Sequence, residues 1–297
     1  MLTFHLMEGL YSRHRQGQVL KLILLKEAVM GTVPALSIIG MCFAFIVAVG
    51  LPMGLMVYAF LKLKADMLWF GIGAATFIIF ALVLEQCLHV VMIKQFGEAL
   101  TGNLLVKAVY GGLAAGVFEE LGRFTSMNLF KKKELNKLNA LMYGVGHGGI
   151  EAIIIVGLTS ISNLITSIMI NTGSFEPMLA SLDDEVKAQT LKQVSLLWTT
   201  SSLDFYLAGV ERVVAITLHI CLSYIVYKAV KGKKLQLLFL AIALHAGLDF
   251  ITVLLAGYTS SLVLEIVLLV IVFILAALVY RMYSKDMETE SYVREDL

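Results

Sequence analysis

Seven long apolar stretches follow one another along this chain, separated by short polar turns, and no other feature of the sequence restricts its folding as strongly. They run roughly over 34–61, 67–93, 103–129, 137–165, 203–227, 235–256 and 260–282. An apolar run of about 20 residues crosses a bilayer core as a helix, because a helix leaves no backbone amide unpaired in lipid. The expected fold is therefore all-α: a polytopic transmembrane helical bundle of about seven spans, multi-pass in the cell membrane, with a bacterial plasma membrane expected. Pro52 should kink the first span, since its ring removes a helical hydrogen bond.

Composition agrees with a lipid environment and excludes other classes. The 297 residues are 59% hydrophobic and 15% charged, where a soluble domain carries roughly a quarter charged residues. A net charge of +1 gives no general attraction to nucleic acid, and none is expected as a partner. Cys42, Cys87 and Cys221 all lie in apolar segments without paired spacing, so they read as packing residues rather than disulfides or a thiolate site.

Basic residues mark the cytoplasmic side of a span. Here they follow span 1 (Lys62, Lys64), span 3 (Lys131, Lys132, Lys133, Lys137), span 5 (Lys228, Lys231, Lys233, Lys234) and span 7 (Arg281, Lys285). The opposite boundaries are poor in them, and Glu176 to Glu185 is acidic, which puts the N-terminus outside and the C-terminus inside. Residues 1–29 carry Arg13, Arg15, Lys21 and Lys26 on what would then be the wrong side. Lys26-Glu27-Ala28-Val29-Met30 can be encoded by a purine-rich ribosome-binding sequence ahead of a start codon, so the native chain is expected to begin at Met30. N-terminal sequencing of the natively expressed protein checks this. The resulting organisation is an extension over 1–29, a transmembrane domain over 30–284 and a polar cytoplasmic tail over 285–297, expected to be disordered from about Ser284. Between spans 4 and 5, Asp183 to Leu197 forms an amphipathic stretch suited to the outer surface.

Ionisable groups at membrane depth are costly unless paired, hydrated or bound to metal, so each is a functional candidate. Span 3 contains Glu119, Glu120 and Arg123, span 4 His147 and Glu151, span 5 Glu211, Arg212 and His219, and span 6 His245 and Asp249. Alternate spans run in opposite directions, so equal counts from the cytoplasmic ends mean equal height. By that count Glu119, His147, His219 and His245 all lie about 15 Å deep at 1.5 Å per residue. His147/Glu151 and His245/Asp249 are i,i+4 pairs, each on one helix face. That spacing suits two ligands, or a ligand and the carboxylate that orients it.

Three imidazoles with carboxylates suit a divalent ion, zinc being the expected one, with a position left for water. The predicted metal residues are His147, His219, His245, Asp249 and Glu151. The ion would bring its water's pKa to around 7, and Glu119 or Glu120 would take the proton as general base. Glu119, Glu120 and Arg123 could instead be a salt bridge that ties helices together. Glu211 with Arg212, and Glu85 with His89, read more readily as structural pairs. Gly112 and Gly116, and the glycines at 144, 146, 148 and 149 around His147, would let helix backbones approach closely.

The sequence contains no HExxH, GxSG or GxGD. The set EELGR, HGGIE, a histidine in the fifth span and HAGLD resembles the YhfC family of intramembrane metalloproteases. That family is similar to PrsW and to the CAAX-processing and bacteriocin-processing membrane proteases, with their double glutamate and arginine, a histidine on the next helix, and a later HxxxN or HxxxD. By this resemblance Glu119 and Glu120 match the double glutamate and Arg123 the basic residue. His147 matches the second-motif histidine, and His245 with Asp249 the last motif. The arginine comes one residue earlier than in the CAAX type, Asp249 stands where asparagine is common, and Tyr143 stands where phenylalanine is usual.

What the resemblance implies is hydrolysis of a peptide bond in a membrane-bound peptide or protein by glutamate-activated water, with Glu119, Glu120 and Arg123 catalytic. Two other classes remain open on the residues alone. A proton-coupled transporter would also line a bundle with glutamates and histidines, and a non-catalytic scaffold or immunity protein would keep the polar core for packing.

Overall fold

The computed structural model describes residues 30–295, with side chains through Asp286, and the expected start at Met30 concerns residues outside that range. All regular structure among the described residues is helical. Seven long helices follow the apolar stretches: α1 (Ala35–Leu61), α2 (Met67–Phe96), α3 (Leu104–Phe130), α4 (Lys137–Asn171), then α6 (Ser202–Gly232), α7 (Leu235–Ala256) and α8 (Ser261–Glu295). The shorter α5 (Asp184–Thr199) precedes α6 and contains most of the amphipathic stretch.

The helix starts are set by local chemistry. Each of α2 to α6 begins on a polar cap, Asp66, Asn103, Asn136, Asp183 and Ser201, whose side-chain oxygen accepts from an otherwise unpaired first-turn amide. Pro52 lies within α1, which continues through it to Leu61.

Six of these helices are long and apolar enough to cross a membrane: α1, α2, α4, α6, α7 and the Ser261–Asp286 part of α8. The third stretch, α3, is as long as α1 at 27 residues but carries Lys107, Glu119, Glu120 and Arg123. Glu119, Glu120 and Arg123 belong to the candidate site, and these charges separate α3 from the other six.

Helix α6 occupies the centre. Within its most apolar stretch 61% of the residues are buried, against 17–33% in the other five apolar helices, and it packs on α1, α3, α4, α7 and α8. Two close approaches lock the ring around it. A Cβ on Gly73 or Gly146 would overlap the carbonyl of Tyr143 or Phe70, so α2 and α4 touch backbone to backbone. A Cβ on Gly112 would lie 2.5 Å from the Ala246 carbonyl and one on Gly116 2.8 Å from the Ala246 amide nitrogen, which fixes α3 on α7. At the basic end Asp66 N donates to Asn139 Oδ1 of α4 (2.8 Å) and Trp69 Nε1 of α2 to the Lys133 carbonyl in the turn before α4 (3.0 Å).

Two segments depart from α-helical geometry. Ile78–Glu85 in α2 and Ile153–Gly157 in α4 are wound as π-helix, with i→i+5 hydrogen bonds. The tail also differs from expectation, because α8 runs on through Glu295 instead of dissolving near Ser284. Extending an existing helix costs far less than starting one. Asp286 anchors the extension, accepting from Lys228 Nζ at 2.6 Å and from the Tyr224 hydroxyl.

Candidate metal and catalytic centre

Four helices bring their ionisable residues to one level, the arrangement expected from counting along opposed spans. His147 Nε2 of α4 donates to Glu119 Oε2 of α3 at 2.9 Å, and His219 Nδ1 of α6 lies 3.9 Å from the same oxygen. The His147 and His219 rings are 4.9 Å apart, and His219 meets His245 of α7 edge-on at 5.5 Å. All five of Glu119, Glu120, His147, His219 and His245 are buried. Glycines make this possible, since a Cβ on Gly148 would lie 3.0 Å from the His219 Cβ. Phe77 meets His147 edge-on, and Tyr143 stacks on it while sharing a 2.9 Å hydrogen bond with Ser126.

Arg123 organises the second layer. Its guanidinium lies 3.4 Å from Glu120 Oε1 and donates to His219 Nδ1 (3.1 Å) and to the His219 carbonyl (3.3 Å). A guanidinium only donates, so His219 Nδ1 is the accepting nitrogen, and Nε2 carries the proton that faces Glu151 Oε2 at 2.5 Å. Glu120 Oε1 accepts from His245 Nδ1 at 2.8 Å, which fixes that ring with Nε2 toward Asp249, 3.9 Å away. A carboxylate on one imidazole nitrogen is the common means of orienting the other toward a ligand or ion. Glu151 also accepts from Arg212 at 3.0 Å, and Arg212 pairs with Glu211.

Glu119, His147 and His219 form a set able to hold a divalent metal: each offers one donor atom, all within 4.8 Å of one another, and all three residues are buried. One carboxylate and two imidazoles are a ligand combination that zinc enzymes use. His147 Nδ1 is buried with no hydrogen-bond partner among the described residues, so the ring's one hydrogen bond there runs through Nε2. Arg123 donates to His219 Nδ1, and Glu120 is the carboxylate that keeps the guanidinium placed.

Beside this set lies a cavity of about 240 Å³. Glu119, His219 and His245 border it together with Glu85, Glu151, Glu211, Arg212 and Asp249, and Phe77, Leu82 and Ile155 form apolar walls. Glu120 and Arg123 are fully buried behind this layer and do not border the cavity.

Of the sequence-predicted residues, Glu119, His147 and His219 come within ligand reach of one another, while His245, Asp249 and Glu151 stand around them. The i,i+4 pair His147/Glu151 shares a helix face, but Glu151 spends its contacts on His219 and Arg212. Sequence reasoning misses three ionisable members of the cavity wall. Glu85, Glu211 and Arg212 read from the sequence as structural, yet Arg212 bridges to Glu151 and Glu85 faces the cavity while its Oε1 lies 3.2 Å from His89 Nε2. It also passed over Glu265, a buried carboxylate on α8 whose presence in an apolar run was the available signal.

A family model described as YhfC intramembrane metalloprotease matches residues 43–279. The "Uncharacterized membrane protein YhfC" of Bacillus subtilis (strain 168) is 40% identical over 198 residues, covering 66% of this chain and 76% of the relative. No solved structure matches.

Proposed function

Because the chain belongs to the YhfC intramembrane metalloprotease family, we propose that it is an endopeptidase that hydrolyses a peptide bond of a membrane-associated substrate, with Glu119 activating the water. The observation that carries this reading is the buried Glu119–His147–His219 set, of which Glu119 and His219 border the cavity. His147 and His219 are the residues that would hold a divalent ion beside Glu119, zinc being the expected one. Bound there, it supplies an acidified water and a Lewis acid for the carbonyl oxygen.

The remaining work falls to the chain. Glu119 is preferred over Glu120 as base because it borders the cavity, whereas Glu120 is committed to Arg123 and His245. It accepts the water proton as the water oxygen attacks the carbonyl carbon, then delivers it to the departing amine as the C–N bond breaks. Arg123 and Glu151 hold the His219 ring from its two sides, and Glu120 holds His245. Burial of the set excludes bulk water from the reacting atoms.

The test is Glu119→Gln, which keeps volume but cannot take a proton at neutral pH. Cleavage of a membrane substrate, found by comparing membrane proteomes of parent and deletion strains, should fall by at least about 100-fold. Expression and melting temperature should stay near parental. Full cleavage by a stable Glu119→Gln protein ends the proposed mechanism. His147→Ala should lower stoichiometric zinc in the purified protein, because a small ligand set loses affinity sharply with one imidazole.

A further inference from the structure

Helices α2 and α4 are pressed together over half their length and then part. Up to Phe77, α2 packs on α4 through the Gly73 and Gly146 contacts. Beyond it, over Ile78–Glu85, the packing of α2 passes to α3, while α4 over Ile153–Gly157 passes to α1. Both helices change partner where each is wound as π-helix, and the cavity fills the wedge between them, bordered by Phe77, Leu82 and Glu85 on one side and Glu151 and Ile155 on the other. The other neighbouring pairs around the cavity, α3–α7, α7–α8, α8–α6 and α6–α4, pack against each other.

The surface flanking the wedge is apolar. Ile79 and Val83 are each 50% exposed on α2, and Leu158 is 58% exposed on α4. In a bilayer such a surface lets an apolar segment approach from the lipid side and does not suit a soluble peptide. A peptide bond within a helix is shielded by its own hydrogen bonds and turned away from an attacking water.

We propose that the α2–α4 wedge is the port by which a membrane-embedded peptide segment reaches Glu119, and that the segment enters locally unwound. This rests on the hydrolytic reading for the fate of the segment but not for its binding. The Ile78–Phe96 part of α2 is the wall that moves to widen the port, since the Met67–Phe77 part is locked on α4.

The experiment uses the full chain in lipid vesicles, in a background with Cys42, Cys87 and Cys221 replaced by serine. A benzophenone is attached through Leu82→Cys or Ile155→Cys, or through Phe239→Cys on the lipid-facing side of α7, where the native side chain is 66% exposed. Two synthetic leucine-alanine peptides of about 20 residues are the probes, one unbroken and one with a central Gly-Gly that unwinds easily. Photocapture of the interrupted peptide from positions 82 and 155 should exceed that from 239 by about tenfold, and should exceed capture of the unbroken peptide. Equal capture from all three positions, or equal capture of both peptides, overturns the port. The same measurement in Glu119→Gln separates the two readings. Selective capture there, with no cleavage found in the parent, keeps the port and removes the protease. Cleavage without selective capture removes the port alone.

Discussion

Glu119 and Glu120 adjoin in the sequence but belong to different environments. Consecutive helix residues point about 100° apart, so one carboxylate meets the cavity and the other is driven into the packed interior between α3, α6 and α7. Glu120 is matched by Arg123 and His245, and its position is explained by the neutrality of the interior. Glu119 Oε2 accepts from His147 on one neighbouring helix, lies 3.9 Å from His219 on another, and borders open space. A doubled carboxylate motif here reads as one reacting group and one counter-ion that keeps the arginine in place.

Exchanging the two roles by mutation is the sharpest way to break that division, and the largest effects are expected here. Glu119→Gln should remove activity and leave the fold. Glu120→Gln should strand the Arg123 cation and cost about 3–5 kcal/mol of stability, measured as loss of the detergent-solubilised melting transition and of folded yield. If instead Glu120→Gln melts like the parent and Glu119→Gln does not fold, the two assignments are reversed.

The same contrast exists along α2, between its locked and its open half, and a smaller effect tests it. Gly146→Ala places a methyl on the Phe70 carbonyl and should cost about 1–3 kcal/mol, read from thermal melts. Leu82→Ala, in a partly exposed wall of the cavity, should cost less than Gly146→Ala in the same melts. The reverse order would mean that the wedge, not the glycine contact, holds α2 in place.

The smallest effect is expected at the membrane edge, far from both contrasts. Asp286→Asn removes the charge that meets Lys228, where both side chains are about a third exposed, and should change stability by less than about 1 kcal/mol. A larger loss would show that the end of α8 supports the bundle as strongly as its interior contacts do.

Much of the fold could be read from the sequence, because lipid imposes length and the polar turns impose boundaries. Asp66, Asn103, Asn136 and Ser201 mark helix starts by a chemistry that sequence displays directly. The common depth of Glu119, His147, His219 and His245 was legible for the same reason, since straight helices of known rise convert position into height. The roles within the site were not. Which carboxylate borders a cavity depends on helix rotation and on which neighbours come close, and Arg212 reaching Glu151 depends on contact between two helices distant in sequence. The continuation of α8 was hidden because a polar composition says nothing of the Lys228 and Tyr224 contacts that hold its next turn.

The wide turn over Ile78–Glu85 sets the phase of everything after it. A π-helical turn takes about one residue more than an α-helical one, and one residue is about 100° of rotation. Cys87 and His89 therefore sit on faces that a 3.6-residue wheel drawn from Met67 misassigns, and the 2.7 Å hydrogen bond between the Tyr110 hydroxyl and His89 Nδ1 forms in the shifted phase. A relative without the wide turn would need one residue fewer between Phe77 and Gln86 to keep that pair, so the length of this short segment, more than its composition, records whether another chain shares the same cavity wall.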